Sequence, residues 1–120
     1  MEIAKTILFV YGSLKRGHRN HRLLADQEFL GDAITEARYR LVDLGAYAGM
    51  IDDANGLCVT GELWSVVESA LAELDEFECE DAPYFRGPVA VQGHAEPVEA
   101  YFFRGDVPPG VRTGATWPFV

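Results

Sequence analysis

Apolar residues in this chain recur mostly at every second position over short stretches, and once at helical spacing. Ile7 to Val10 is an unbroken β-rich apolar run, the pattern of a strand buried on both faces. Asn20 to Ala25 predicts a short helix, with Asn20 as cap and Leu23 and Leu24 turned inward. Phe29 to Thr35 and Tyr39 to Leu44 read as strands. Gly45 to Gly56 reads as loop, closing on the turn signal Asp52-Asp53-Ala54-Asn55-Gly56. Leu57 to Trp64 alternates as a further strand, in which Gly61 marks a bulge or a close approach.

Ser65 to Glu78 gives the strongest helical pattern. Ser65 and Glu68 have capping-box spacing, Val67, Ala70, Leu71, Leu74 and Phe77 form the apolar stripe, and Pro83 marks the stop. Tyr84 to Gln92 and Val98 to Phe103 are the last expected strands, around a turn at Gly93 to Pro97. The tail from Gly105, rich in proline and glycine, either packs back through Trp117-Pro118-Phe119 or stays loose. About six strands and one main helix predict an α+β fold with a strongly curved, barrel-like sheet, in one domain over residues 1–120.

Composition narrows the class. With 120 residues, 48% hydrophobic and 24% charged, the chain has a core-forming, soluble composition. A formal net charge of −9 argues against a general nucleic-acid binder. Cys58 and Cys79 are too few for a disulfide framework and suggest a reducing compartment. No signal region and no apolar run of membrane-spanning length is visible, so a cytoplasmic protein without membrane contacts is expected. Charge is unevenly placed. Lys15, Arg16, Arg19 and Arg22 cluster in one segment, whereas Glu68 to Asp81 holds seven acids and no base. If the fold joins these segments, a positive rim faces a carboxylate-bearing helix.

The candidate chemistry lies at two places. In Thr6 to Gly17 a core strand runs straight into Tyr11-Gly12-Ser13 and then into Lys15-Arg16-Gly17. Such a glycine turn can present successive amides as a nest for an anion, although an ordinary strand exit has the same composition. The second place is the end of the helix. At about 100° per residue, Glu73 and Glu76 fall opposite the Leu71 and Leu74 stripe, Asp75 at its margin and Glu78 within it. If the last turn holds, burial and the negative helix end both raise the Glu78 pKa towards that of a general base; if it frays, Glu78 faces water. Tyr84 and Arg86 share one face of the following strand. Beside Glu78 they would orient a polar substrate or form a structural ion pair, and the arginine would pull the carboxylate pKa back down.

Phe9 to Gly17, followed by Asn20-His21 and Leu23-Leu24, resembles the opening of the gamma-glutamylcyclotransferase-like family. Leu74 to Glu78, then Tyr84 and Arg86, resemble its second signature, and Gly61-Glu62-Leu63-Trp64 resembles the strand that precedes it, with order and spacing agreeing from residue 7 to about 103. The run Asp75-Glu76-Phe77-Glu78 with Tyr84-Phe85-Arg86 is most similar to the gamma-glutamylamine cyclotransferase branch. The resemblance implies a mixed barrel-like sheet with flanking helices. It also implies an intramolecular aminolysis releasing 5-oxoproline from a gamma-glutamyl compound, with no metal and no cofactor. On this sequence the Tyr11, Gly12, Ser13 and Leu14 loop would hold the glutamyl head, Tyr84 and Arg86 would assist, and Glu78 would be the catalytic acid and base. Two positions depart from the pattern. Ala48 stands where many relatives carry proline, and the acidic run Cys79 to Pro83 replaces a frequent glycine. Both bear on substrate identity.

Other readings are weaker. Cys79 with His18 or His21 as a thiol nucleophile is opposed by its acidic surroundings. Glu76, Glu78, Glu80 and Asp81 lack an EF-hand spacing. The rival from another class is a non-catalytic module that keeps the gamma-glutamyl pocket for ligand sensing or partner contact.

Overall fold

The computed structural model describes residues 4–45, 47–79 and 84–119, with Cys79 described in its backbone alone. The acidic pair Glu80 and Asp81, Ala82 and the helix-stop Pro83 lie outside the described residues.

Ile7 to Val10 belongs to β1 (Lys5–Val10), the centre of a five-stranded sheet ordered β2-β5-β1-β7-β6. Its partners are β5 (Thr60–Val67), antiparallel, and β7 (Glu99–Phe103), parallel. Strand β2 (Glu28–Ile34) forms one edge and β6 (Tyr84–Pro88) the other. A second, three-stranded sheet holds β4 (Ala48–Asp52), β3 (Tyr39–Asp43) and the two-residue β8 (Thr113–Gly114). The α+β fold with a curved, barrel-like mixed sheet is as expected, and the strand ladder runs from β2 to β6. Beyond it a single bridge, Thr35 with Val91, joins the two edges without a full strand pairing that would close a barrel. There Gln92 N donates to the Ile34 carbonyl at 2.9 Å and Glu36 N to the Ala90 carbonyl at 3.0 Å.

Alternation along β1 sends its side chains into two cores. Phe9 packs with Leu41, Met50 and Phe102 between the sheets, whereas Leu8 and Val10 meet Trp64, Leu71 and Leu74 beneath the helix α1 (Glu68–Cys79). Trp117 and Phe119 of the tail pack against the first core, and β8 pairs with β3, so the tail is folded back onto the body.

Several expectations are corrected. The strand before the helix runs to Val67, not Trp64, because Ser65 pairs with both Ile7 and Glu28. Ladder bonds on two sides outweigh a local cap, so the Ser65 capping box does not form and α1 begins at Glu68. The Gly45 to Gly56 loop contains β4, whose Ala48, Gly49 and Met50 are buried against β3. Asn20 to Ala25 supplies only a 3-10 turn at His21–Leu23, and Asn20 makes no capping bond through its side chain. Gly61 is a close approach and not a bulge. A Cβ there would stand 2.3 Å from the Val10 carbonyl oxygen, while the register shift falls at Phe29 and Gly31.

Candidate active site

β1 ends against a concave site of about 220 Å³ lined by Tyr11, Gly12, Ser13, Leu14, Arg19 and Asn20 from the loop side. Tyr47 comes from the β3–β4 connection and Ala48 from the start of β4, Phe77 and Glu78 from the last turn of α1, and Tyr84 and Tyr101 from β6 and β7. The fold thus brings the two candidate segments together, some sixty residues apart in the chain.

The loop is braced from within. Lys15 N donates to the Gly12 carbonyl at 3.0 Å and Asn20 N to the Ser13 carbonyl at 3.0 Å. The Asn20 amide donates to Ser13 Oγ at 2.8 Å, and His21 Nδ1 donates to the Leu14 carbonyl at 3.1 Å, which fixes the proton on Nδ1. Gly17, with φ of 83°, takes the left-handed turn that a side chain would strain. Gly12 has no such constraint, and a Cβ added to it would meet no protein atom within 4 Å. Packing does not require a glycine there, and the space beside it is open.

Outside braces hold the loop to the body. Glu62, 7% exposed, accepts from Arg16 N at 3.0 Å, Arg16 Nε at 3.1 Å and Trp64 Nε1 at 3.2 Å. Burial raises its pKa, but these donors prevail and hold it below the usual value. Lys15 Nζ donates to the Trp117 carbonyl, and the His18 ring lies 5.0 Å from the Trp117 indole. Lys15 and Arg16 are thereby turned to the tail and to Glu62. Of the basic cluster, Arg19 alone joins Glu78 in the cavity lining.

The tyrosines are structural as well as lining. Tyr11 Oη donates to the Tyr101 carbonyl at 2.7 Å and accepts from Met50 N at 3.1 Å, tying β7 to β4 across the site. Tyr84 Oη donates to the Ala48 carbonyl at 2.9 Å. Burial raises the pKa of both phenols, and each is raised further by the negative charge of Glu78. They stay neutral and keep donating.

Glu78 faces the cavity, and burial pushes its pKa from 4.5 up to about 7. Arg86 is not beside it. Its guanidinium holds Asp75 through Nε at 2.9 Å and Nη2 at 3.0 Å, and Glu99 through Nη1 at 2.5 Å. Tyr101 Oη completes this network with a 2.7 Å bond to Asp75 Oδ1. Of the two roles expected for Arg86, a substrate group or a structural ion pair, the described geometry has the ion pair, and Arg86 is not among the residues that line the cavity. Phe77 is corrected. It is 44% exposed at the cavity mouth and leaves the apolar stripe to Leu71 and Leu74. Arg19, Asn20, Tyr47 and Tyr101 line the site without having been singled out for it. The basic cluster signalled Arg19, the loop motif Asn20 and the departure at Ala48 its neighbour Tyr47, whereas Tyr101 carried no signal.

Among the described residues no helix is long and apolar enough to cross a membrane. A putative gamma-glutamylcyclotransferase of Vibrio cholerae serotype O1 is 39% identical over 83 residues, which span 69% of this chain and 70% of that one. The gamma-glutamylaminecyclotransferase of Mus musculus is 35% identical over 111 residues, covering 86% of this chain and 70% of the relative. The crystal structure of an AIG2-like protein from Mus musculus superposes with a TM-score of 0.84 at 29% identity, over 94% of this chain and 88% of the other. Residues 8–117 match the family described as Gamma-glutamyl cyclotransferase, AIG2-like, and the chain belongs to that family.

Proposed function

We propose that this protein converts a gamma-glutamyl amine or amino acid to 5-oxoproline and the free amine by intramolecular aminolysis. One observation carries the reading: the Glu78 carboxyl, its pKa pushed up to about 7, faces the Gly12–Leu14 turn across one cavity. Near neutral pH such a carboxyl is present in both protonation states, the condition for accepting and returning a proton.

The substrate's α-ammonium gives a proton to the Glu78 carboxylate. The freed amine then attacks the γ-carbonyl carbon, forming the ring C–N bond and placing the electron pair of the carbonyl on its oxygen. Glu78 returns the proton to the departing nitrogen as the oxyanion re-forms the carbonyl and the original amide C–N bond breaks. The second proton of the new ring nitrogen passes to the freed amine, which leaves as its ammonium form. Atoms balance without water or any other reactant. The reaction is unimolecular once the chain is folded back on itself, so holding amine and carbonyl at attack distance is the main task of the loop. Gly12, without a Cβ, lets the glutamyl head approach the backbone, and Ser13 and Leu14 continue that wall. Tyr11 and Tyr84 enclose the carboxyl and keep its neutral form favoured.

The test is incubation of the purified protein with a panel of gamma-glutamyl amines and amino acids, assayed for 5-oxoproline. Release from at least one substrate, with a loss of at least about a hundredfold in Glu78→Gln, is expected for removal of a general acid and base. Activity that survives this substitution overturns the mechanism. Absence of turnover across the panel, with saturable binding of the same compounds, turns the reading to a binding module.

A further inference from the structure

Two large apolar side chains at the mouth of the cavity remain open to solvent. Tyr47 is 42% and Phe77 44% exposed, and both line the site. The other exposed large hydrophobics lie elsewhere, among them Phe29, Leu30 and Ile34 on the edge strand β2. Scattered apolar residues on a surface need no explanation, but two aromatic rings at one opening do. The Tyr47 ring lies 6.2 Å from that of Tyr84, and Phe77 immediately precedes Glu78. Both rings line the same cavity as the Glu78 carboxyl, and they come from the β3–β4 connection and the end of α1 and not from the Gly12–Asn20 loop.

We propose that Tyr47 and Phe77 form the subsite for the departing amine and select leaving groups that carry an aromatic or large apolar side chain. This rests on the cyclotransferase reading above. With the glutamyl head on the loop and its γ-carbonyl at Glu78, the leaving group extends outward between the two rings. Charge supports the same selection. Among the described residues lining the cavity, Arg19 carries the single cation, and it comes from the loop segment with Asn20. A carboxylate-bearing leaving group would thus meet Glu78 without a cation from the Tyr47 and Phe77 side. A ring stacked between aromatic faces gains both buried area and quadrupole contacts, which amounts to about a tenfold preference.

The experiment compares kcat/KM for gamma-glutamyl-phenylalanine, gamma-glutamyl-glycine and gamma-glutamyl-glutamate by 5-oxoproline release. The protein is expected to favour the phenylalanine compound over the glycine compound by about tenfold, and over the glutamate compound by more. In Tyr47→Ala and Phe77→Ala the phenylalanine-to-glycine ratio falls towards one, whereas Tyr47→Phe and Phe77→Tyr, which keep the rings, retain it. Equal use of the three substrates, or a preference that survives both alanine substitutions, overturns this proposal while leaving the reaction standing. Turnover of none of the three while a gamma-glutamyl amine of the wider panel is used overturns the subsite alone, and absence of turnover across the whole panel overturns the reaction and the subsite with it.

Discussion

Arg86 holds Asp75 with two parallel bonds, Nε at 2.9 Å from Oδ1 and Nη2 at 3.0 Å from Oδ2, three residues before Glu78 on the same helix. The arginine pulls the Asp75 carboxyl below its ordinary pKa, against the burial that raises it. By satisfying Asp75 it spends its charge away from the cavity, and Glu78 keeps the raised pKa that burial imposes. The role of the cation is to fix the helix on β6 and β7 without neutralising the candidate base.

Replacing Arg86 with methionine should accordingly leave the KM of a gamma-glutamyl substrate within about twofold, since no cavity contact is lost. Stability should fall by about 1–2 kcal/mol, because Asp75 and Glu99 lose a partly buried partner. Denaturant midpoints and initial rates measured together check both. A KM rise of tenfold or more would return Arg86 to the substrate site.

The rate should depend on pH through Glu78. The carboxylate form accepts the first proton, so kcat/KM is expected to rise with pH through an inflection at about 7 and to level above it. A pH–rate profile from 5 to 9, with a stable substrate, reads this directly. An inflection below 5 would place the base at a carboxyl unperturbed by burial.

Glu78 also sets a pH dependence of stability, opposite in sign to that of a salt-bridged carboxylate. Between its unfolded value of 4.5 and about 7 the folded chain holds more protons than the unfolded one. Stability from this group is thus greatest below 4.5, declines as pH rises to about 7, and is constant above. Glu78→Gln should stabilise the fold by about 3 kcal/mol at pH 8 relative to its effect at pH 4.5. Urea unfolding of both proteins at the two pH values provides the check. A difference that does not change with pH would mean that Glu78 is solvated.

Gly12→Ala separates the needs of the fold from those of the ligand. No protein atom lies within 4 Å of the added methyl, and Gly12 is not among the glycines of positive φ, so the melting temperature should barely move. The methyl would occupy the place of the glutamyl head, and KM should rise by about tenfold or more as close contact is lost. Substrate titration of the folded variant tests this. An unchanged KM would remove the loop from the cradle.

Much of the frame was legible because periodicity reports which face of an element is apolar. The unbroken run Ile7 to Val10 became the two-sided central strand, and the Leu71 and Leu74 stripe became the buried face of α1. The misreadings have local causes. Ser65 looked like a cap, but pairing to β1 and β2 claimed its backbone first. β4 was hidden because Ala48 and Gly49 have weak strand propensity and are held there by β3. Phe77 was counted as core because period alone does not tell a buried position from an apolar residue at an open cavity.

The sequence by itself determined the α+β class, the strand that leads into the Gly12 turn, and the helical phase that turns Glu78 inward. These follow from patterns local in the chain. Only the tertiary structure decided what surrounds that carboxyl: Tyr11 and Tyr84 against it, Arg86 drawn off to Asp75, Arg19 on the loop side, and Tyr47 and Phe77 open at the mouth. The physical reason is that a pKa and a binding surface depend on neighbours brought in from distant parts of the chain. Periodicity gives a side chain its direction, and the packing of sheet, loop and helix gives it its company.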